Sequence, residues 1–279
     1  MDERPLAEVP IVIVDTETTG LSPAYGHRVV EIGAIRLEGW REVGRLNQLV
    51  NPGRPIEPGA SRVNGIYDSD VADAPPFIDV AADLRRLMEG ALLVAHNARF
   101  DASFLEAEFS VVAYQRPEFD AAVPNPWLCT LQLARNCFYF GRNNLGAIAA
   151  RLGVRVGRAH RALNDVYVTA EILKRMAREL RERRLHTVGD LLHAQGGPIY
   201  MSPPVAPDLP HPLAEAISGG KRVHIRYRSG ARETRREISP LFAAENAGTL
   251  YLTAYCHLRQ AQRTFRLDRI LSAELIEGE

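Results

Sequence analysis

Between Gly196 and Pro212 the chain carries six prolines, at 198, 203, 204, 207, 210 and 212. Proline fixes φ and lacks an amide proton, so such a run can neither continue a helix nor lie inside a sheet. It reads as an extended, semi-rigid linker, 196–212, separating a segment 1–195 from a segment 213–279. The two segments are patterned differently. Upstream, Val9 to Val14 reads as a buried strand, and Val29 to Leu37 and Glu42 to Val50 as two more joined at the Gly39-Trp40 turn, an antiparallel meander. Helical periodicity covers Phe77 to Met88, and Leu92 to Ala95 reads as a short strand. Further helices are expected over Arg99 to Phe109, Leu128 to Phe138, Asn144 to Leu152, about Ala162 to Arg184, and Val188 to Ala194. This alternation predicts an α/β fold. Downstream, one short helix at Leu213 to Ile217 precedes β-rich runs at Val223 to Tyr227, Arg235 to Ser239, Thr249 to Tyr255, Gln262 to Arg266 and Ser272 to Ile276. Turn residues such as Ser229-Gly230 and Asn246-Ala247-Gly248 separate these runs, which predict a small barrel.

Composition excludes several classes. The longest apolar runs, such as Ile11 to Val14 and Ala91 to Ala95, fall far short of the roughly 20 residues that span a bilayer. The start MDERPLAEVP lacks the basic-then-apolar order of a secretory signal, so a cytoplasmic protein is expected. Cys129, Cys137 and Cys256 are odd in number and show no C-x-x-C spacing, which argues against a disulfide framework or a structural zinc site and for reduced thiols. With 34 basic and 34 acidic residues, bulk charge gives no attraction to a polyanion, and only its distribution can. From His211 onward there are 11 Lys/Arg against 8 Asp/Glu.

The chemistry-bearing residues fall in three places. Asp15-Thr16-Glu17-Thr18-Thr19-Gly20 closes the first strand, and residues two apart on a strand share a face, so both carboxylates project together just before a glycine turn. Two like charges held so close call for a cation, and oxygen donors without Cys or paired His favour Mg²⁺ or Mn²⁺ over zinc. His96-Asn97-Ala98-Arg99-Phe100-Asp101 follows the Leu92 to Ala95 strand and opens a helix. Taken alone, Asn97 could cap that helix and Asp101 could be a surface acid in its first turn. His160-Arg161-Ala162-Leu163-Asn164-Asp165 opens the long helix. Five residues of α-helix turn about 500°, leaving the His and Asp side chains about 140° apart. His160 is therefore expected on the segment before the helix, after Gly157-Arg158-Ala159, reaching over the site from outside. Phe100 and Phe104, at i and i+4, read as core.

In that order and spacing the three motifs resemble the DEDD superfamily of 3′–5′ exonucleases, whose acids fall on Asp15, Glu17, Asp101 and Asp165. His160, five residues before the last Asp, with Arg at 161, identifies the histidine (DEDDh) branch, similar to the proofreading epsilon subunit of bacterial DNA polymerase III. VDTETTGL, RVVEIGAI, VNPGRPI, VNGI and HNARFD carry the resemblance, over about residues 8 to 195. It implies a ribonuclease H-like domain with a mixed central sheet flanked by helices. It also implies two divalent metal ions, Mg²⁺ or Mn²⁺, roughly 4 Å apart, relieving charge on the attacking and leaving oxygens. Asp15 would bridge both, Glu17 and Asp165 would help hold one, and Asp101 would support the site directly or through water. His160 would be the general base for the attacking water, a role suited to imidazole, which changes charge near neutrality. Thr18, Thr19 and Leu21 would hold the terminal nucleotide. Asn64, where the polymerase subunit carries His, would lie near it, and Asn97 would touch the backbone or scaffold the acids.

The tail SGGKRVHIRYRSGARETRREISPLFAAENAGTLYLTAYCHLRQAQRTFRLDRI resembles the WYL domain, an Sm- or SH3-like β-barrel, over roughly 211–276. Leu250-Tyr251-Leu252 stands where that family has Trp-Tyr-Leu. The resemblance implies binding of nucleic acid or a small anionic ligand, with Tyr251, Arg263, Arg266 and Arg269 at the matching positions. Strand alternation puts Phe265 and Leu267 on one face and Arg266 on the other. The expected function is thus a metal-dependent 3′–5′ exonuclease on DNA 3′ ends, preferring single strands, releasing nucleoside monophosphates in repair or 3′-end processing. An RNA exonuclease would use the same acids and differ in how it treats the 2′-hydroxyl. A ligand-sensing regulator on an exonuclease scaffold is the alternative from another class; no helix-turn-helix segment precedes the barrel.

Overall fold

A computed structural model of the chain describes residues 2–157, 160–201, 209–230, 232–246 and 249–276. Linker prolines 203, 204 and 207, Arg158 and Ala159 before the long helix, and Ala247-Gly248 in a proposed turn lie outside the described residues. The chain forms two compact units, one of residues 1–20, 29–106 and 123–203, the other of 21–28, 107–122 and 204–279.

In the first unit β1 (Ile11–Thr18), β2 (Val29–Glu38) and β3 (Arg41–Leu49) form the expected antiparallel meander. Both residues of the connecting turn have positive φ, Gly39 at 56° and Trp40 at 65°. That is the pattern of a two-residue hairpin turn whose twist matches its strands. Three helices follow, α1 (Pro58–Asn64), α2 (Asp68–Val71) and α3 (Phe77–Met88); the first two are too short to show a helical period in sequence. α3 buries Phe77, Val80, Ala81, Leu84 and Met88, spaced three or four apart along one face. Next come β4 (Leu92–Ala95) and α4 (Ala98–Gln115), the latter running six residues past its expected end.

β5 (Trp127–Cys129) was not expected, since three residues cannot display a strand period and Leu128 reads as the start of the next helix. It lies at the sheet edge, where its polar backbone still needs partners. The Trp127 amide donates to the Ile199 carbonyl at 2.8 Å, and Gln195 takes both remaining groups: its Oε1 accepts from the Cys129 amide and its Nε2 donates to the Trp127 carbonyl. The strand order β3-β2-β1-β4-β5, with β1–β4 and β4–β5 parallel, is the mixed sheet expected. Helices α5 (Thr130–Cys137), α6 (Leu145–Arg151), α7 (Ala162–Glu182) and α8 (Val188–Ala194) complete the unit. β1 is apolar on both faces because both are covered. Ile11 and Ile13 join Ile172, Leu173, Met176 and Leu180 of α7 in one core, while Val12 and Val14, also buried, point the other way. Phe104 is buried and Phe100 half-buried, their ring centroids 4.9 Å apart. The three cysteines are free thiols.

The second unit holds α9 (His211–Gly219) and strands β6 (Val223–Ser229), β7 (Arg232–Asn246), β8 (Thr249–Cys256), β9 (Ala261–Arg266) and β10 (Ile270–Leu275). Leu213, Ala216 and Ile217 of α9 pack with Val223, Ile225, Ile238, Leu252 and Phe265. The Tyr114 hydroxyl donates to the Ala214 carbonyl at 2.9 Å, and Arg28 makes a two-pronged ion pair with buried Glu108. The strands form one antiparallel sheet, β10-β6-β7-β8-β9. The expected Sm/SH3-like barrel is corrected here: among the described residues β9 and β10 form no ladder, so the sheet does not close. It does curl. Laid flat, the outer strands of five would stand about 19 Å apart. The turn Leu267–Arg269 that joins β9 to β10 reaches at most about 14 Å.

Candidate active site

The expected acids meet at the C-terminal end of β1. Register places Asp15 opposite Gly33 and Glu17 opposite Glu31 on β2. Parallel pairing of β1 with β4 brings the start of α4 alongside, and with it Asp101. Asp101 is buried, and its Oδ1 accepts from both the amide and the hydroxyl of Thr16, each at 2.9 Å. The alternative of a surface acid in a helix turn is therefore wrong.

The fourth acid arrives on α7, whose first turn lies against β2. A Cβ at Gly33 would come within 2.5 Å of the backbone of Ala162 and Leu163, so glycine is what lets helix and strand approach this closely. Buried Glu31 fixes the same junction. It accepts from Arg161 Nε at 3.1 Å and Nη2 at 2.7 Å, and from the Ala162 amide at 3.1 Å. Local sequence pattern does not reveal the role of this pair. A lone acid in the apolar run VVEIGAI was the available signal, since a buried carboxylate needs a partner. That partner lies 130 residues away, beyond any local pattern. Asp165 is buried in the first turn of α7. His160 precedes the helix, exposed and with φ of 59°, and its amide donates to Asp165 Oδ2 at 3.2 Å. Glu17, His160 and Asp165 each offer a ligand atom, all within 4.8 Å of one another.

Crowding shows in the protonation of these groups. Burial, then Asp101, Glu17, Asp165 and Glu31, push Asp15 well above the usual carboxylate range. Burial followed by Asp165, Glu31 and Asp101 raises Glu17 from 4.5 to about 8, against a lowering hydrogen bond from Asn64. Burial raises Asp101 from 3.8 to about 7 despite the opposing Thr16 bonds. Asp165 is raised by burial, against the His160 amide and ring. Such carboxylates cannot all ionise at neutral pH without a compensating cation. Asp15 and Glu17 stay partly open to solvent, the side from which one can enter. The donor set, oxygen apart from one imidazole, fits a divalent metal ion. His96 is not part of it: Nε2 donates to the Asn143 carbonyl at 3.0 Å, Nδ1 meets the Thr130 hydroxyl, and burial lowers its pKa to about 4, so it is a neutral scaffold.

The other expected residues differ in availability. The Thr18 hydroxyl donates to the Gly20 carbonyl at 2.6 Å. Asn64 is buried and holds the Thr18 carbonyl and the Ile66 amide, while Thr19 is wholly buried. Leu21 is 88% exposed. Asn97 is also exposed, at φ 73°, and makes no side-chain hydrogen bond among the described residues. In the second unit Tyr251 on β8 pairs in register with Arg266 on β9, on the face opposite buried Leu252 and Phe265. Arg266 is bound by Asp268, whereas Arg263 and Arg269 are exposed and make no side-chain hydrogen bond or ion pair among the described residues.

Residues 12–173 match the exonuclease (RNase T) family model. The chain belongs to the exonuclease family. Residues 209–275 match the WYL domain, so this is an exonuclease domain followed by a WYL domain. Among similar proteins, a DNA polymerase III subunit epsilon-like protein of Rhodobacter capsulatus is 38% identical over 195 residues, 68% of this chain and 27% of that protein. The DNA polymerase III subunit epsilon of Haemophilus influenzae is 37% identical over 167 residues, 58% of this chain and 63% of the relative. The chain thus spans about a quarter of the first relative and under two thirds of the second. Among solved structures, Exonuclease X in complex with 5′ overhanging duplex DNA superposes with a TM-score of 0.52 at 29% identity, covering 67% of this chain and 99% of that one. E. coli Exonuclease I with a dT13 oligonucleotide shares the fold, with a TM-score of 0.55 at 19% identity over 88% of this chain and 55% of that one. No helix among the described residues is long and apolar enough to cross a membrane.

Proposed function

We propose that this exonuclease hydrolyses phosphodiester bonds stepwise from the 3′ end of DNA, preferring single strands and releasing nucleoside monophosphates in repair or 3′-end processing in the cytoplasm. The observation that carries the reading is the convergence of Asp15, Glu17, Asp101 and Asp165 at one strand end, with His160 beside Glu17 and Asp165. Two divalent cations, Mg²⁺ or Mn²⁺, held by these four acids would supply a nucleophile at neutral pH and offset charge on the attacking and leaving oxygens.

The chain's own residues do the rest. Asp15, Glu17 and Asp165 would hold the cations, and Asp101, its Oδ1 held by the Thr16 amide and hydroxyl, would support the site. His160 takes the proton of the attacking water at its ring nitrogen. Its exposed position lets it hand that proton to solvent. Exposed Leu21 offers an apolar surface to the terminal base and Asn97 an amide to the backbone. Thr18, Thr19 and Asn64 shape the turn, Asn64 also holding Glu17. The 213–279 domain, through Tyr251, Arg263, Arg266 and Arg269, grips the rest of the strand or an anionic regulator.

A time course on matched 3′- and 5′-labelled single-stranded DNA and RNA, with Mg²⁺, Mn²⁺ or EDTA, tests this. A metal-dependent ladder from the 3′ end, faster on DNA, is expected. A faster RNA ladder would make the enzyme an RNA exonuclease, and no cleavage of either polymer would favour the sensor alternative.

A further inference from the structure

A cavity lies at the other end of α7 from Asp165. Its volume is about 380 Å³, within the range of small-ligand sites. Leu6 and Leu185 supply apolar lining and Trp40 an indole. Lys174, Arg178 and Arg181 line it from α7, and the acid among its lining residues is Glu8. At 100° per residue these three cations fall within an arc of about 60° on one helix face. None makes a side-chain hydrogen bond or ion pair among the described residues, whereas Arg183, just past the helix end, is bound to Glu179. The helix dipole favours cations in the last turn. It does not account for Lys174 two turns earlier, nor for the tryptophan.

Trp40 breaks a local rule. It occupies the second turn position between β2 and β3 at φ 65°, where glycine or asparagine is the usual residue and a bulky side chain is an outlier. Strained backbone of this kind persists where the side chain is needed in place. Here it delivers a flat aromatic face, partly buried, beside three positive charges that make no ion pair among the described residues. A compact cavity with clustered cations suits one polyanionic head and one flat body; an acidic peptide would spread its charge along a groove.

We propose that this cavity binds a nucleoside phosphate, its base against Trp40 and its phosphates on Lys174, Arg178 and Arg181. The site stands about 20 Å along α7 from Asp165, counting 13 residues from Asp165 to Arg178, and does not depend on the nuclease reading. The chain has two tryptophans, and Trp127 is fully buried, so quenching by an added solute reports on Trp40. The full-length protein is titrated with ATP in EDTA, which prevents hydrolysis and keeps any cation out of the acidic site. A saturable quench is expected. Its Kd should rise at least tenfold in the Arg178→Ala/Arg181→Ala double variant, both positions being exposed. Calorimetry on Trp40→Phe should show weakened ATP binding and unchanged binding of inorganic phosphate, itself at least tenfold weaker than ATP. The proposal is overturned by no saturable change at millimolar ATP, by an unchanged Kd in the double variant, or by phosphate or a hexa-aspartate peptide binding as tightly as ATP.

Discussion

At the end of β1, Asp15, Glu17, Asp101 and Asp165 crowd together, and the guanidinium beside them, Arg161, is committed to Glu31. In the C-terminal sheet, charge is spread out and partly answered: Arg222 by Glu237, Arg226 and Arg228 by Glu233, Arg266 by Asp268. Both regions looked charge-rich in sequence, yet they ask for different things. Like charges held in a partly dehydrated place are costly and persist where a cation and a reaction use them. Exposed pairs between opposite charges contribute little and require no ligand. Among the candidate arginines, Arg266 is answered by Asp268, while Arg263 and Arg269 make no side-chain hydrogen bond or ion pair among the described residues.

The sharpest way to break this contrast is Asp15→Asn. Cleavage of a 3′-labelled oligonucleotide should fall by about 10³-fold or more, because the proposed central cation ligand would be lost. The metal-free protein should nevertheless melt higher at pH 8, since one of the repelling charges has gone. His160→Gln should cost about 10²- to 10⁴-fold in rate with an unchanged melting temperature, as the side chain is exposed and acts on a proton.

Gly33→Ala tests the frame. The added methyl meets backbone of Ala162 and Leu163, which cannot move aside as a side chain could, so α7 must shift and carry Asp165 with it. Overpacking of this kind costs about 1–3 kcal/mol. Both melting temperature and rate should drop, the rate by about 10²-fold as Asp165 is misplaced. In the C-terminal sheet the effects should be smaller. Arg263→Ala with Arg269→Ala should weaken oligonucleotide binding about tenfold and flatten its salt dependence, the loss of two phosphate contacts. Arg266→Ala should do less, its charge being already answered by Asp268. An equal effect of all three would remove the distinction between answered and free arginines.

The sequence disclosed the acids of the candidate site more fully than the fold that holds them. Asp15 and Glu17 sit two apart at a strand end, and Asp101 and His160–Asp165 each open a helix; each pattern alone was ambiguous, and it was their order and spacing together, through the family resemblance, that picked them out. What stayed hidden depends on distance or brevity. The Glu31–Arg161 clasp joins residues 130 apart, and Gly33 looks like any strand glycine until α7 lies on it. α1, α2 and β5 are too short to show a period. β7 runs through Pro240 to span Arg232–Asn246, far beyond the five-residue run its pattern suggested. Whether the sheet closes depends on pairing between its first and last strands, which no local signal encodes.

The most direct test of the central claim is the thermal stability of the wild-type protein in EDTA and in Mn²⁺ between pH 5 and pH 8. Glu17 and Asp101 hold their protons in the fold up to about 8 and about 7. The unfolded chain releases the same protons near pH 4. The folded state therefore binds more protons across this window, and the metal-free melting temperature should fall as pH rises, the contribution being fully present only below about pH 4. Mn²⁺ should raise it, and by more at pH 8 than at pH 5. A metal-free melting temperature that is flat across this range, with no response to Mn²⁺ at pH 8, would contradict the account, because the four acids would then not be a crowded cluster that a cation completes.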